Sequence, residues 1–108
     1  MECEEIRVDL RTIPHSADRQ RSAQLLFRLN HTLPFSEEYN ALLRELLGEN
    51  LGEGSTIAPP LSGAALDMLK IGRGVFVNSN LLAMARGGIT IGDHARIAAN
   101  VQLLSNNH

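Results

Sequence analysis

The chain has 108 residues, of which 44% are hydrophobic and 20% are charged, so it forms one small domain at most and lacks the composition of a disordered segment. Its net charge is −2 and no basic run or face is present, so binding to nucleic acid has little support. Aromatic residues make up only 4%, and this scarcity favours an interior built in thin layers from Ile, Leu, Val and Ala.

The first fifteen residues show no clear periodicity. Their opening, Met1–Glu5, is acidic where a secretory signal would be basic, and no apolar run approaches the roughly 20 residues that a membrane span requires. The alternation in Arg7–Arg11 is compatible with a short strand, which Pro14 would end. Cys3 is the single cysteine and cannot form an intramolecular disulfide. These features predict a soluble, cytoplasmic protein with no membrane partner.

Two short amphipathic helices are predicted before residue 50. The first begins at Ser16 and ends at Asn30. Its apolar side is predicted to hold three residues at helical spacing, Ala23, Leu26 and Phe27. The second helix is capped by Ser36 and ended by Gly48, with an apolar stripe formed by Tyr39, Leu42, Leu43, Leu46 and Leu47. Since neither helix can bury its stripe alone, residues 1–50 are interpreted as an N-terminal helical region that packs on the rest of the chain.

From Leu51 onward the residues repeat in sixes. One column of this repeat stays apolar, at Leu51, Ile57, Ile71, Val77, Ile91, Ile97 and Leu103. The pattern also recurs at a shift of 20, since Ile71-Gly72 returns as Ile91-Gly92 and Asn80 returns as Asn100. Such a shift equals three sixes plus two residues. The extra residues are therefore predicted to form a small insertion at Arg86-Gly87-Gly88.

A six-residue unit can form one short strand and one turn, with the apolar residue inward and Gly or Asn at a corner that requires positive φ. Three units make a triangular coil, and stacked coils bury a continuous apolar prism. An antiparallel sheet with Gly-rich turns would produce some apolar coincidences, but not a constant six-residue phase. Residues 51–108 are therefore predicted to be the start of a parallel β-helix, with Asn80 and Asn100 at its corners.

Six landmarks follow one another in this region: Ile57-Ala58-Pro59-Pro60, Ile71-Gly72, Val77-Asn78-Ser79-Asn80, Ile89-Thr90-Ile91-Gly92-Asp93, Asn100-Val101 and Asn107-His108. In this order they resemble the maltose/galactoside O-acetyltransferases, a family of hexapeptide-repeat acyltransferases. The stretch from Arg21 to Asn30 is similar to the N-terminal helical region of that family. The resemblance implies a mainly β protein, a left-handed parallel β-helix that is incomplete here and is preceded by two short α-helices. It also implies a homotrimer with active sites between subunits.

Members of this family transfer an acetyl group from acetyl-CoA to a sugar hydroxyl. The resemblance places the catalytic base at His108 and an acceptor contact at Asn78. Imidazole can take the proton of a hydroxyl as it attacks a thioester, and an amide can both donate to and accept from a polyol. The acidic sugar contact of the family falls on Arg86, and its Ser-Tyr-Gly stretch has become Ala64-Ala65-Leu66-Asp67. The acceptor is thus a sugar or a related hydroxyl compound whose identity the sequence leaves open.

Two alternatives to an active acetyltransferase arise from the residues. Family members continue through several more coils, which supply most of the CoA groove, so the chain is either an acetyl-CoA-dependent O-acetyltransferase or a truncated, non-catalytic fragment of one. A zinc hydratase of the same fold would use His94 and His108, but their spacing matches no short zinc motif and a third ligand is missing, so no metal is expected. His94 is predicted to be a solvated residue in a turn. The core or the trimer interface is predicted to hold Met68, Met84, Leu81 and Leu82.

Overall fold

The computed structural model describes residues 16–105, with side chains from Arg19 onward. Two helices, α1 (Ser16–Asn30) and α2 (Glu37–Leu47), precede a 3₁₀ turn at Gly48–Asn50. Eight strands follow in this part of the chain: β1 (Thr56–Ile57), β2 (Leu61–Ala64), β3 (Leu69–Ile71), β4 (Phe76–Val77), β5 (Leu81–Met84), β6 (Ile89–Ile91), β7 (Arg96–Ile97) and β8 (Gln102–Leu104). The strand predicted at Arg7–Arg11 lies outside the described residues.

The strands stack into three parallel sheets that are wound as one coil. β1, β4 and β7 form the first sheet, β2, β5 and β8 the second, and β3 and β6 the third. Each pairing joins residues one repeat of 20 apart, such as Ile57 with Val77 in the first sheet and Ile71 with Ile91 in the third. The common shift in all three sheets confirms the predicted parallel β-helix and its repeat.

The predicted insertion lies in the corner between β5 and β6, where the N–H of Gly88 donates to the carbonyl oxygen of Ala85 (2.8 Å). The preceding coil has a corner in register with it, between β2 and β3, which the residue pattern did not reveal. There Ala65 takes a φ of 55° and Leu66–Met68 form a 3₁₀ turn. Because the two corners contain the same number of residues, the strands on both sides remain in register.

The interior of the coil is filled by aliphatic side chains from all three sheets. Of the predicted apolar column, Ile57, Ile71, Val77 and Ile91 are buried, whereas Leu51, Ile97 and Leu103 are half-buried. Other inward-facing residues of the strands, including Leu61, Leu69 and Leu81, are at most 1% exposed. The coil therefore buries more residues than the predicted column alone. The hydrophobic interior gains stability from stacked layers of aliphatic residues, without large aromatic side chains.

Helix α2 has the boundaries and the apolar stripe that its sequence predicts. The side chain of Ser36 accepts a hydrogen bond from the N–H of Tyr39 (3.1 Å), and Gly48 ends the helix with a φ of 58°. Its stripe packs into the same hydrophobic cluster as the strands. The division of the chain at residue 50 stays a prediction. Of the helices within residues 16–105, none is long and apolar enough to cross a membrane.

The apolar side predicted for α1 is correct only at Leu26, which packs half-buried against the core, whereas Ala23 and Phe27 are exposed. Phe27 is 64% exposed, whereas Leu25 and Leu29 are buried against the rest of the molecule. Consecutive apolar residues point about 100° apart on a helix, so their spacing alone does not select one face. The orientation is fixed by Asn30, whose Nδ2 donates to the carbonyl oxygen of Leu61 (2.8 Å) and whose Oδ1 accepts from its N–H (2.9 Å).

Tyr39 connects α2 to the first coil. Its side chain is buried, and its hydroxyl donates a hydrogen bond to the carbonyl oxygen of Ile57. Burial raises the pKa of the Tyr39 hydroxyl from 10.0 to about 12, because the phenolate would lose its hydration. The folded protein therefore holds the Tyr39 proton more tightly than the unfolded chain does.

We expect the contribution of Tyr39 to the free energy of unfolding to be complete below pH 10 and to be lost between pH 10 and about 12. Urea denaturation of the wild type and of Tyr39→Phe measures this contribution. At about pH 8 the variant should be less stable by about 1 kcal/mol, since it lacks the hydrogen bond to Ile57. At about pH 11 the two proteins should be closer in stability, and an unchanged difference would contradict the role assigned to the hydroxyl.

Of the described glycines, Gly63 in β2 has the least room for a side chain between two stacked coils. It takes a φ of 147°. A Cβ atom at this position would overlap the carbonyl oxygen of Ala83, its partner in β5. Gly92 is a suitable control, because a Cβ atom there would meet no other atom within 4 Å. We expect Gly63→Ala to lower the free energy of unfolding by about 3 kcal/mol and Gly92→Ala by less than about 1 kcal/mol. Equal losses in denaturant titrations of the two variants would contradict this packing argument.

Candidate active site

Asn78 lies at the corner between β4 and β5, and its side chain is exposed. Its N–H donates to the carbonyl oxygen of Ile97 in the next coil (2.9 Å), and its Oδ1 accepts from the N–H of Ser79 (2.7 Å). The Nδ2 group forms no hydrogen bond to residues 19–105, which leaves two donors for a ligand. The residues one repeat away, Ala58 and Ala98, are small. The corner thus presents an oriented amide that its neighbours do not cover.

Asn80 and Asn100 have the structural role that their positions predict. Both take positive φ angles, 68° and 64°, at equivalent corners of successive coils. The Nδ2 of Asn80 donates to the Oδ1 of Asn100 (3.0 Å). Asparagine tolerates the left-handed backbone conformation that such a corner requires. These two residues therefore stabilise the edge beside Asn78 by stacking their amides.

The corner between β5 and β6 carries Arg86, which is exposed and forms no hydrogen bond or ion pair with the side chains described from Arg19 to Ser105. Ser105, in the next coil, holds this corner. Its Oγ accepts from the N–H of Gly87 (3.2 Å) and donates to the carbonyl oxygen of Met84 (3.0 Å). Ser105 lies three residues before His108 in sequence. The Arg86 corner is thus attached directly to the segment that leads to the predicted base.

Sequence reasoning did not single out Ser105. A signal was present, because the equivalent positions one and two repeats earlier are Ala85 and Ala65, and only the third coil has a hydroxyl there. His108, the predicted catalytic base, lies outside the described residues.

β5 separates the Asn78 corner from the Arg86 corner. Its four residues span roughly 13 Å at about 3.3 Å per residue. Leu81 and Ala83 in this strand are buried, so the alternating Leu82 and Met84 face outward. Leu104, which pairs with Met84 in β8, is 63% exposed. The outward surface of the second sheet therefore has an apolar part, formed by Leu82, Met84 and Leu104, beside the polar residues Ser62 and Gln102.

The third corner of the coil carries His94, which is exposed and takes a φ of 63° directly above Gly74. This agrees with a solvated residue in a turn. His31 is also exposed, and its Nδ1 lies 2.8 Å from the carbonyl oxygen of Phe27. Within residues 16–105, no three His, Cys, Asp or Glu side chains come together in a group that could hold a metal ion.

Comparisons of the sequence find two curated relatives. The chain is 32% identical over 91 residues to galactoside O-acetyltransferase of Escherichia coli strain K12, which covers 83% of this chain and 44% of the relative. It is 35% identical over 101 residues to nodulation protein L of Rhizobium leguminosarum bv. viciae, which covers 87% of this chain and 53% of that protein. The chain thus spans about half the length of the curated relatives it matches. No family model matches the sequence.

Comparison with solved structures also finds acetyltransferases. A hexapeptide-repeat acetyltransferase from Vibrio cholerae superimposes with a TM-score of 0.72 at 35% identity, over 80% of this chain and 48% of the other. Its complex with acetyl coenzyme A, from the O1 biovar eltor, has a TM-score of 0.73 at 32% identity, over 84% of this chain and 49% of the other. By its sequence and by its β-helix, the chain is homologous to about half the length of these acetyltransferases, and it shares their hexapeptide-repeat fold.

Proposed function

We propose that the protein is an acetyl-CoA-dependent O-acetyltransferase that acts on a hydroxyl of a sugar or a related compound. The observation that carries this proposal is the exposed Asn78 amide, oriented by Ser79 with two donors available, at a corner of the β-helix. A sugar hydroxyl can accept from such an amide. The acetyl coenzyme A complex of the Vibrio cholerae relative supports acetyl-CoA as the acetyl donor.

The base in this proposal is His108. It follows Gly88 by one repeat of 20 residues in sequence, and this spacing supports our proposal that it acts at the corner that carries Arg86. Neutral imidazole takes the proton of the acceptor hydroxyl while the oxygen attacks the thioester carbonyl. The carbon–sulfur bond then breaks, and the CoA sulfur receives the proton from the imidazolium. The products are the acetyl ester and free CoA, and the imidazole returns to its neutral form.

The distance between the Asn78 corner and the Arg86 corner has a consequence for how the active site is assembled. Because β5 places roughly 13 Å between them, an acceptor hydroxyl at the base is far from the Asn78 amide of the same chain. In the proposed assembly, a second copy packs on the apolar surface of Leu82, Met84 and Leu104 and contributes its Asn78 to the site of the first copy's His108. Such a head-to-tail contact closes into a ring, and the family resemblance implies a ring of three. We therefore propose a homotrimer with shared active sites.

The chemistry requires only acetyl-CoA and the hydroxyl acceptor, and we propose that it takes place in the cytoplasm. No metal, nucleic acid or membrane takes part in it.

We expect His108→Asn to lower kcat/KM for acetyl transfer by about a hundredfold or more, because the acceptor hydroxyl loses its general base. His94→Asn is the matched control, since it changes an exposed histidine at another corner in the same way. That variant should retain wild-type activity within about twofold. Release of the CoA thiol from acetyl-CoA, with a panel of glycosides as acceptors, gives the rates.

The same samples should be titrated with acetyl-CoA and their solution mass determined. A trimer that binds acetyl-CoA and transfers acetyl through His108 supports the proposal. A protein that neither binds acetyl-CoA nor transfers acetyl would instead agree with the alternative of a non-catalytic fragment. Equal activity of His108→Asn and the wild type would remove His108 from the mechanism.

We expect Asn78→Ala to raise KM for the acceptor about tenfold, because one hydrogen bond to the acceptor is lost, with a smaller effect on kcat. KM for acetyl-CoA should not change. Steady-state kinetics with each substrate varied in turn measure both constants. An increase confined to the KM of acetyl-CoA would place Asn78 on the donor side of the site and contradict its assignment to the acceptor.

A further inference from the structure

We propose that Asn100 is a positioning residue for acceptor binding, which acts through Asn78 by keeping the amide of that residue in a fixed orientation. This inference rests on the proposed function, because that function makes Asn78 the acceptor contact. It adds a residue of the third coil to the acceptor site. The contacts that carry it are hydrogen bonds between successive coils, at the corner that leads from the first sheet to the second.

The first link lies within the Asn78 corner. The Oδ1 of Asn78 accepts from the N–H of Ser79 (2.7 Å), and this bond determines where the two N–H groups of the amide point. The Asn78 side chain is exposed, and its only hydrogen bond within residues 19–105 is the one from Ser79. The orientation of the amide therefore depends on the peptide group that joins Asn78 to Ser79.

The second link fixes the next peptide group, which joins Ser79 to Asn80. The carbonyl oxygen of Ser79 accepts from the N–H of Asn100 in the following coil (2.9 Å). The N–H of Asn80 donates to the carbonyl oxygen of Pro60 in the preceding coil (3.1 Å). Because a peptide group is planar, it turns only as a unit, and these two bonds hold it from both sides. The N–H of Ser79, one Cα atom away, is held in place with it.

The third link joins two side chains. The Nδ2 of Asn80 donates to the Oδ1 of Asn100 (3.0 Å), and the two residues take φ angles of 68° and 64°. Asparagine can adopt this left-handed conformation but is not restricted to it, so the bond between the amides favours it at both corners. Asn100 thus holds the Asn78 corner by two hydrogen bonds, one through its backbone and one through its side chain. Only the second is lost when the side chain is changed.

The test begins with Asn100→Gly, which removes the amide and keeps both the N–H and the ability to adopt a positive φ. We expect KM for the acceptor to rise about fivefold, with kcat and the KM of acetyl-CoA within about twofold of the wild type. Asn100→Asp retains an oxygen that can accept from Asn80 and should restore the acceptor KM to within about twofold. His94→Gly is the matched control, because it removes an exposed side chain at a φ of 63° from another corner of the same coil. It should leave the acceptor KM unchanged.

Two further measurements separate positioning from a loss of stability. When Asn78→Ala is already present, Asn100→Gly should have no additional effect on the acceptor KM, because the amide that it orients is gone. In 15N-labelled protein, the N–H of Ser79 should have an order parameter of about 0.85 in the wild type and below about 0.6 in Asn100→Gly. The order parameter should not change in His94→Gly.

An acceptor KM that Asn100→Gly leaves unchanged, or raises equally with and without the Asn78 amide, overturns the inference. An unchanged order parameter of the Ser79 N–H overturns it as well. The relaxation measurement needs no acceptor, so its failure concerns the positioning of Asn78 and not the proposed function. If the wild type acetylates no acceptor, the proposed function itself fails, and the inference fails with it.

Discussion

The backbone hydrogen bond between a residue and the coil one repeat later is the interaction on which this structure depends. The strands contain only two to four residues, too few to be stable as isolated pairs. They persist because the same step of 20 operates in all three sheets, so that Gly72 donates to Ile91 (2.8 Å) and Asn78 donates to Ile97 (2.9 Å). The corners between the strands repeat at the same interval of 20 residues. Equivalent polar residues of successive coils therefore lie next to one another at the edges of the prism.

The helical region provides hydrogen-bond partners for the open edge of the first coil. The first coil has no coil before it within the described residues, and unpaired strand edges leave backbone groups without partners. Asn30 satisfies both backbone groups of Leu61 with its amide, much as a neighbouring strand would. Tyr39 does the same for the carbonyl oxygen of Ile57. Two side chains from the helices thus replace part of a missing ladder, and their docking also fixes the orientation of the helices.

The sequence contains enough information to predict the coil, because its apolar column and its corner residues repeat at a fixed phase. Asn80 and Asn100 were recognisable since a corner at positive φ favours Asn or Gly. The buried face of α1 was not recognisable, because it is selected by a long-range contact of Asn30 and not by helical spacing. The left-handed sense of the coil is an expectation from the family resemblance alone, because the general preference of crossover connections is right-handed and predicts the opposite.

The candidate site could be predicted only in part. Asn78 was assigned by resemblance, and the structure adds the hydrogen bond from Ser79 that orients its amide. The role of Ser105 depends on which loop it contacts one coil away, a relation that appears only when the coils are stacked. His108 remains a prediction from the sequence.

The two corners that connect the second sheet to the third have the same length but different conformations. One contains a 3₁₀ turn at Leu66–Met68, whereas the other has a tight turn closed by Gly88. The strands that flank them pair without any change of register. Mutations in such a corner are therefore largely decoupled from folding, provided that its length is kept. Related proteins can in this way vary the residues of these corners over evolutionary time while they retain the same scaffold.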